Sequence, residues 1–138
     1  MKSRECIYLQ FSDTKNNLII IPSQYSLCNF FSGGWNDSKG NKYSRLVNDP
    51  KARKVFTKHV IEYLKEHNFD GLDLDWEYPK CWQVDCKQGP VSDKKAFADW
   101  VQELSRALHA ENMILSAAVS PSAKVSDHDY IRVIHKLR

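Results

Sequence analysis

The chain has 138 residues, 42% of them hydrophobic and 27% charged, with a net charge of +3 from 20 Lys and Arg against 17 Asp and Glu. That composition suits one soluble globular domain with a core of its own. The basic residues are dispersed, which argues against a nucleic-acid partner, and the longest strongly apolar run, Leu18 to Ile21, is far too short to span a bilayer.

The first residues, Met1 to Cys6, include an acid and lack the apolar core of a secretory signal. The sequence therefore predicts either an intracellular protein or one whose true N-terminus lies upstream. Residues 1–30 show no clean periodicity. Leu18 to Ile21 before Pro22 reads as a short buried strand, and Leu27 to Phe31 as another that leads into Ser32-Gly33-Gly34-Trp35. The glycine pair lets the backbone turn tightly or approach a ligand. Asn36 to Asn48 is polar and reads as a loop.

Asp49-Pro50 has the pattern of an N-cap followed by proline at the first helical position. Val55, Phe56, Val60, Tyr63 and Leu64 then recur with helical period and predict one buried stripe, stopped near Asn68. A strand follows at once. After it comes a loop from Pro79 to Val91, which holds Cys81, Cys86 and Gly89-Pro90. Ser92 or Asp93 is placed to cap the next helix, whose stripe is Phe97, Trp100, Val101, Leu104 and Leu108. Met113 to Val119 predicts a buried strand ending near Pro121, and Tyr130 to Leu137 begins another helix-like pattern. Strand and helix alternate, which predicts βα units on a parallel sheet.

The strand between the two helices is the most informative segment. Phe69-Asp70-Gly71-Leu72-Asp73-Leu74-Asp75-Trp76-Glu77-Tyr78-Pro79 sets Asp73, Asp75 and Glu77 at every second position, with Leu72, Leu74 and Trp76 between them. One face is acidic and the other apolar. Same-face neighbours on a strand sit only about 7 Å apart. Like charges that close repel, so such a row serves to share protons or to bind something. Catalytic groups of a parallel sheet gather at the C-terminal strand ends. Glu77 lies at such an end, and Trp35 follows the preceding strand to the same end. Carboxylates suit acetal chemistry and aromatic faces stack on sugars.

Other readings of these residues are open. A calcium loop counted from Asp73 would put Tyr78 where glycine is required and Val84 where glutamate is required. An exposed edge strand with solvated acids explains the alternation but not the upstream Gly-Gly-Trp. Trp35 by itself reads as core more readily than as a sugar platform, an order its motif reverses, and Trp100 reads as core. His59, His67, His109, His128 and His135 show no ligand spacing, so no metal site is expected. Cys81 and Cys86 fit a local disulfide, which implies an oxidising compartment, or two free thiols, or a zinc site that lacks its other ligands. Asn36-Asp37-Ser38 is a formal glycosylation sequon, and a glycan there would obstruct the proposed cleft.

The acidic strand resembles the signature of glycoside hydrolase family 18, the chitinases and chitinase-like proteins. Asp70, Asp73, Asp75 and Glu77 fill that family's Asp-x-x-Asp-x-Asp-x-Glu spacing. Ser32-Gly33-Gly34-Trp35-Asn36 resembles its motif at the third barrel strand, and Leu115 to Pro121 resembles its fifth strand. The Cys81 to Cys86 loop is similar to that of animal-type chitinases. The resemblance covers about residues 31–134 and implies an α/β fold, a partial (β/α)8 TIM barrel with roughly strands three to five. It divides the chain into a divergent N-terminal segment, 1–30, and a partial catalytic domain, 31–138.

The resemblance also implies chemistry. Glu77 would be the general acid and then the base for water. The substrate's own 2-acetamido oxygen would be the nucleophile, with Asp75 orienting it and Asp73 sharing a proton with Asp75. Gly33, Gly34, Trp35, Asn36 and Tyr78 would line the substrate site, Asp70 and Gly71 would complete the motif, and Trp82 is a candidate platform. The implied partner is chitin or chito-oligosaccharides, with no cofactor, no nucleic acid and no membrane, and the implied location is extracellular. A binding protein without turnover, or a fragment without function, are the rival expectations. A full barrel needs around 250 residues, and the family's Met-x-Tyr-Asp segment and last-strand Trp have no counterpart here. The chain therefore reads as a fragment, expected to fold poorly or aggregate alone because its sheet edges are open.

Overall fold

The computed structural model describes residues 29–83, 85–118 and 120. The strand expected at Leu18 to Ile21 and the helix expected from Tyr130 lie outside them. Three strands, β1 (Asn29–Gly33), β2 (Gly71–Asp75) and β3 (Ile114–Ala117), form one sheet in the order β1-β2-β3. Both pairings are parallel, with Gly33 opposite Asp75 and Asp73 opposite Ser116. Three helices connect them: α1 (Lys42–Asn48) and α2 (Pro50–Glu66) between β1 and β2, and α3 (Ser92–His109) between β2 and β3.

The alternation in β2 does what its chemistry requires. Leu72, Leu74 and Trp76 are almost fully buried. They join a core with Val60 and Leu64 of α2 and Phe97, Trp100, Val101, Leu104 and Leu108 of α3. Burying one such side chain fully is worth about 1.5–3 kcal/mol. Aromatic rings run through this layer: Tyr43 stacks on Trp76 at 5.6 Å, Trp76 meets Phe97 edge-on at 5.8 Å, and Phe97 meets Trp100 at 6.0 Å. The helix layer thus holds the apolar face of β2 and leaves its acids on the other side. β2 is the central strand of the three, which overturns the solvated edge-strand reading.

α2 begins as expected. Pro50 opens the helix and the Asp49 carboxylate accepts from the Lys51 N–H at 2.8 Å. Asn68, just past its end, takes the left-handed conformation with φ 56°. Its stripe is narrower than expected, because Val55 and Tyr63 are exposed while Val60 and Leu64 are buried. Tyr63 instead stacks on His67 at 4.1 Å.

Two expectations fail. The segment read as a loop contains α1, a two-turn helix that buries Tyr43, Ser44 and Val47. Neither Ser92 nor Asp93 caps α3, whose N-cap position is Val91 with no side-chain cap. Asp93 turns inward and is fully buried. It accepts from Ser44 Oγ at 2.6 Å, Asn48 Nδ2 at 2.9 Å, the Lys80 N–H at 3.2 Å and Trp82 Nε1 at 3.1 Å. Such partners offset the cost of burying a carboxylate. Arg53 adds a second tie, forking onto Glu103 of α3 through two 2.9 Å bonds while donating to the Val47 carbonyl at 2.6 Å.

Gly33 has φ +121°, and an added Cβ would overlap the Asp75 carbonyl oxygen, 2.8 Å from its carbonyl carbon. Gly40 has φ +81° with open space around it. Gly33→Ala therefore meets both backbone strain and overlap, and it should cost roughly 2–4 kcal/mol. Gly40→Ala should meet strain alone, about 1 kcal/mol. Urea unfolding of the two variants checks this, and equal losses would show that the contact at Gly33 relaxes.

Candidate active site

The site is built where β1 and β2 end. The Gly34 N–H donates to the Asp75 carbonyl at 2.7 Å, which ties the Trp35 loop to the acidic strand. Ser38, fully buried, completes the tie. Its hydroxyl donates to the Gly34 carbonyl at 2.8 Å and accepts from the Glu77 N–H at 2.8 Å. One side chain from the β1–α1 loop thus fixes the backbone of Glu77, two residues past the end of β2. The peptide joining Glu77 to Tyr78 is cis.

The three acids have different surroundings. Asp73 is half-buried and accepts a short hydrogen bond from Ser116 Oγ of β3. Asp75 is buried, and among the described residues its Oδ1 has no hydrogen-bond partner. Burial, then the charges of Glu77 and Asp73, push the Asp75 carboxyl up to about 6. Glu77 is half-buried. The Tyr78 hydroxyl is pushed above its ordinary value by burial, then by Glu77, and it bonds to Glu77 and Ser120. Asp73, Asp75, Glu77 and Tyr78 therefore meet at one strand end.

Trp35 and Asn36 lie on the loop beside them, both exposed, Trp35 at 45%. Its exposure overturns the core reading of Trp35, while Trp100 is core. Gly33 and Gly34 sit at the same strand end, and the close approach they permit is to the backbone of Asp75. Asp37 of the sequon bonds to Lys42 and to the Tyr43 hydroxyl, the latter at 2.5 Å. Asp70 and Gly71 stand at the opposite end of β2, away from the acids: the Asp70 carbonyl accepts from the Ile114 N–H at 3.0 Å, and Gly71 is the first residue of the strand.

Cys81 and Cys86 form a disulfide, so the zinc and free-thiol readings do not hold. No group of three or more potential ligands stands at metal distance among the described residues. Sequence reasoning missed Ser38, Ser116, Ser120 and Asp93. Each acts on a partner remote in sequence, and a lone serine or aspartate carries no local signal of that.

The model of the glycosyl hydrolases family 18 matches residues 24–137. Probable chitinase 10 of Drosophila melanogaster is 58% identical over 98 residues, which is 71% of this chain and 4% of that protein. The Endochitinase of Manduca sexta is 45% identical over 75 residues, 54% of this chain and 13% of that protein. Among solved structures, a mutant of catalytic domain 2 of the Ostrinia furnacalis Group II chitinase, in complex with penta-N-acetylchitooctaose, superposes with a TM-score of 0.76 at 52% identity. That match covers 79% of this chain and 29% of the other. The chain spans less than a third of each of these relatives. The three strands and three helices of the described residues are part of a (β/α)8 barrel.

The state of Asp75 makes stability depend on pH. Folded, Asp75 keeps its proton up to about pH 6, whereas an unfolded aspartate loses it near about 3.9. Between those values the folded state binds more protons, so raising the pH through this window weakens folding. Asp75→Asn cannot titrate and should lose less stability from pH 4 to pH 7, by on the order of 1 kcal/mol after solvent screening. Thermal melts of both proteins across that range check the sign, and parallel pH slopes would show that Asp75 titrates as an ordinary aspartate.

Proposed function

We propose a chitinase-type role for this chain, which belongs to family 18 of the glycosyl hydrolases: it supplies the proton-handling strand that cleaves β-1,4-linked N-acetylglucosamine polymers with retention. The observation that carries the reading is the buried Oδ1 of Asp75 beside Glu77, unpartnered among the described residues. A buried acceptor without a donor is costly and awaits one. The N–H of a substrate 2-acetamido group is such a donor.

The steps follow from that contact. Glu77 gives its proton to the glycosidic oxygen as the bond to the anomeric carbon breaks. The acetamido carbonyl oxygen attacks that carbon from the opposite face and closes an oxazolinium ring, so no enzyme carboxylate forms the covalent bond. Asp75 holds the acetamido N–H and offsets the positive charge of the ring. Asp73, engaged by Ser116, shares a proton with Asp75 when Asp75 turns from it to the substrate. Glu77, now ionised, takes a proton from water as water opens the ring, and both carboxyls return to their starting states.

Trp35 offers an exposed face on which a sugar can stack, and Asn36 and Tyr78 border it. The reaction needs no cofactor. The Cys81–Cys86 disulfide supports action in an oxidising, extracellular setting. The activity is proposed for this strand within a complete barrel, of which the chain holds a part.

Chito-oligosaccharide hydrolysis by a complete barrel containing this segment, as the parent and as Glu77→Gln, tests the proposal. The substitution should lower kcat by about 10²–10⁴-fold while oligomer binding persists. Binding without cleavage by both would identify a chitin-binding protein instead. Neither binding nor cleavage by the parent would leave no role for these acids in sugar chemistry.

A further inference from the structure

Glu77 stands beyond the end of β2, where the register of the sheet stops at Asp75. At that end the Gly34 N–H donates to the Asp75 carbonyl at 2.7 Å and the Ala118 N–H to the Leu74 carbonyl at 2.8 Å. The backbone of Glu77 is held by two loops instead. Its N–H donates to Ser38 Oγ at 2.8 Å, and its carbonyl accepts from the Gln83 N–H at 2.8 Å. The second bond is made by backbone alone, whereas the first depends on one side chain.

That side chain is fully buried. Its hydroxyl gives its one proton to the Gly34 carbonyl at 2.8 Å, and the Asp75 carbonyl lies 3.4 Å from the same oxygen. The Ser38 N–H donates to the Gly34 carbonyl as well, at 2.9 Å. One oxygen therefore sits among the backbones of Gly34, Asp75 and Glu77. A serine that merely closed its own turn would be satisfied by Gly34, four residues away. The bond from Glu77 comes from 39 residues along the chain.

We infer that Ser38 is a positioning residue for the reaction: its hydroxyl sets the Glu77 carboxyl at a fixed distance from that of Asp75, and so against the glycosidic oxygen. The inference rests on the reading of Glu77 and Asp75 given above. In that reading the two carboxyls act on one sugar, Glu77 at the leaving oxygen and Asp75 at the acetamido N–H. Their spacing must match the distance between those groups, and their backbones are joined through Ser38. Proton transfer needs heavy atoms within about 2.6–3.2 Å, and a misplacement of about 1 Å can cost roughly 100-fold in rate. Ser38→Ala removes the acceptor, and the buried position offers the Glu77 N–H no solvent in its place. The Gln83 bond remains, so Glu77 shifts about that anchor while the strand stays in the sheet.

The test is steady-state hydrolysis of N-acetylglucosamine oligomers by a complete barrel containing this segment, as the parent and as Ser38→Ala, Ser38→Cys and Val60→Ala. Ser38→Ala should lower kcat by about 10–100-fold and leave KM within about threefold, because the groups that face the sugar are kept. Ser38→Cys fills the same space with a poor acceptor. It should lower kcat in the same way, and it decides the matter where the alanine variant does not fold. Val60→Ala opens a cavity in the core under the other face of the sheet. At a similar loss of melting temperature it should keep kcat within about twofold. A kcat unchanged by both Ser38 substitutions, or lowered as much by Val60→Ala, would overturn the positioning role and leave the catalytic reading standing. A parent that cleaves no oligomer would overturn the catalytic reading and the role of Ser38 with it.

Discussion

Between β1 and β2 the backbone comes so close that a side-chain carbon has no room: Gly33 faces the carbonyl of Asp75, and the next N–H, from Gly34, donates to that same carbonyl. Everything at the strand end depends on this approach. It brings the β1–α1 loop over the acids, so that Ser38 can reach the Glu77 N–H and Trp35 can stand beside Gln83. It also uses the Asp75 carbonyl in an added tie between strands, which fixes the backbone from which the carboxylate projects. A larger residue at Gly33 would have to separate the strands, and the loop would move with them.

Among the described residues two carboxylates are buried, and they are treated in opposite ways. Asp93 is surrounded by four donors, from α1, from the disulfide loop and from Trp82. Its hydrogen-bonding capacity is used, and it welds α1, α3 and the loop together. Among the described residues Asp75 keeps one oxygen without a partner, and it is pushed toward neutrality by burial and by two neighbouring acids. Folding alone gives no reason to keep such a group, because an apolar residue of similar size would remove the penalty. The contrast separates a carboxylate that ties elements of the fold together from one that the described residues leave partly unsatisfied.

Legibility in the sequence follows how local each determinant is. The alternation of β2 and the cap of α2 are written in adjacent residues, and both appear as read. The acids are legible for the same reason, since their spacing alone places them on one face. α1 was not legible: two turns are too few for a clear period, and its N-cap residue, Asn41, makes no side-chain cap bond. Asp93 resembles a cap because caps are recognised by residue type, whereas its true partners, Ser44 and Asn48, lie 49 and 45 residues away. Ser38 stood in the sequence only as the last residue of a sequon, yet it is buried under the acids. Val55 and Tyr63 show the converse, for helical period marks an apolar face without stating how much of it finds a partner.

The disulfide loop links these arguments. Its closure by Cys81–Cys86 and its anchorage on Asp93 hold Trp82 against the body of the protein, and Gln83 then reaches both the Glu77 carbonyl and the Trp35 carbonyl. Gln83 is held with φ 48°, a conformation few side-chain-bearing residues adopt unless their surroundings impose it. A displacement of the loop therefore cannot leave the acid end of β2 untouched, since Gln83 bonds directly to the residue that carries the catalytic proton in the proposed reaction. The disulfide loop, the Trp35 loop and the acid end of β2 are thus tied through one residue, over hydrogen bonds of 2.8 and 3.0 Å rather than through the core.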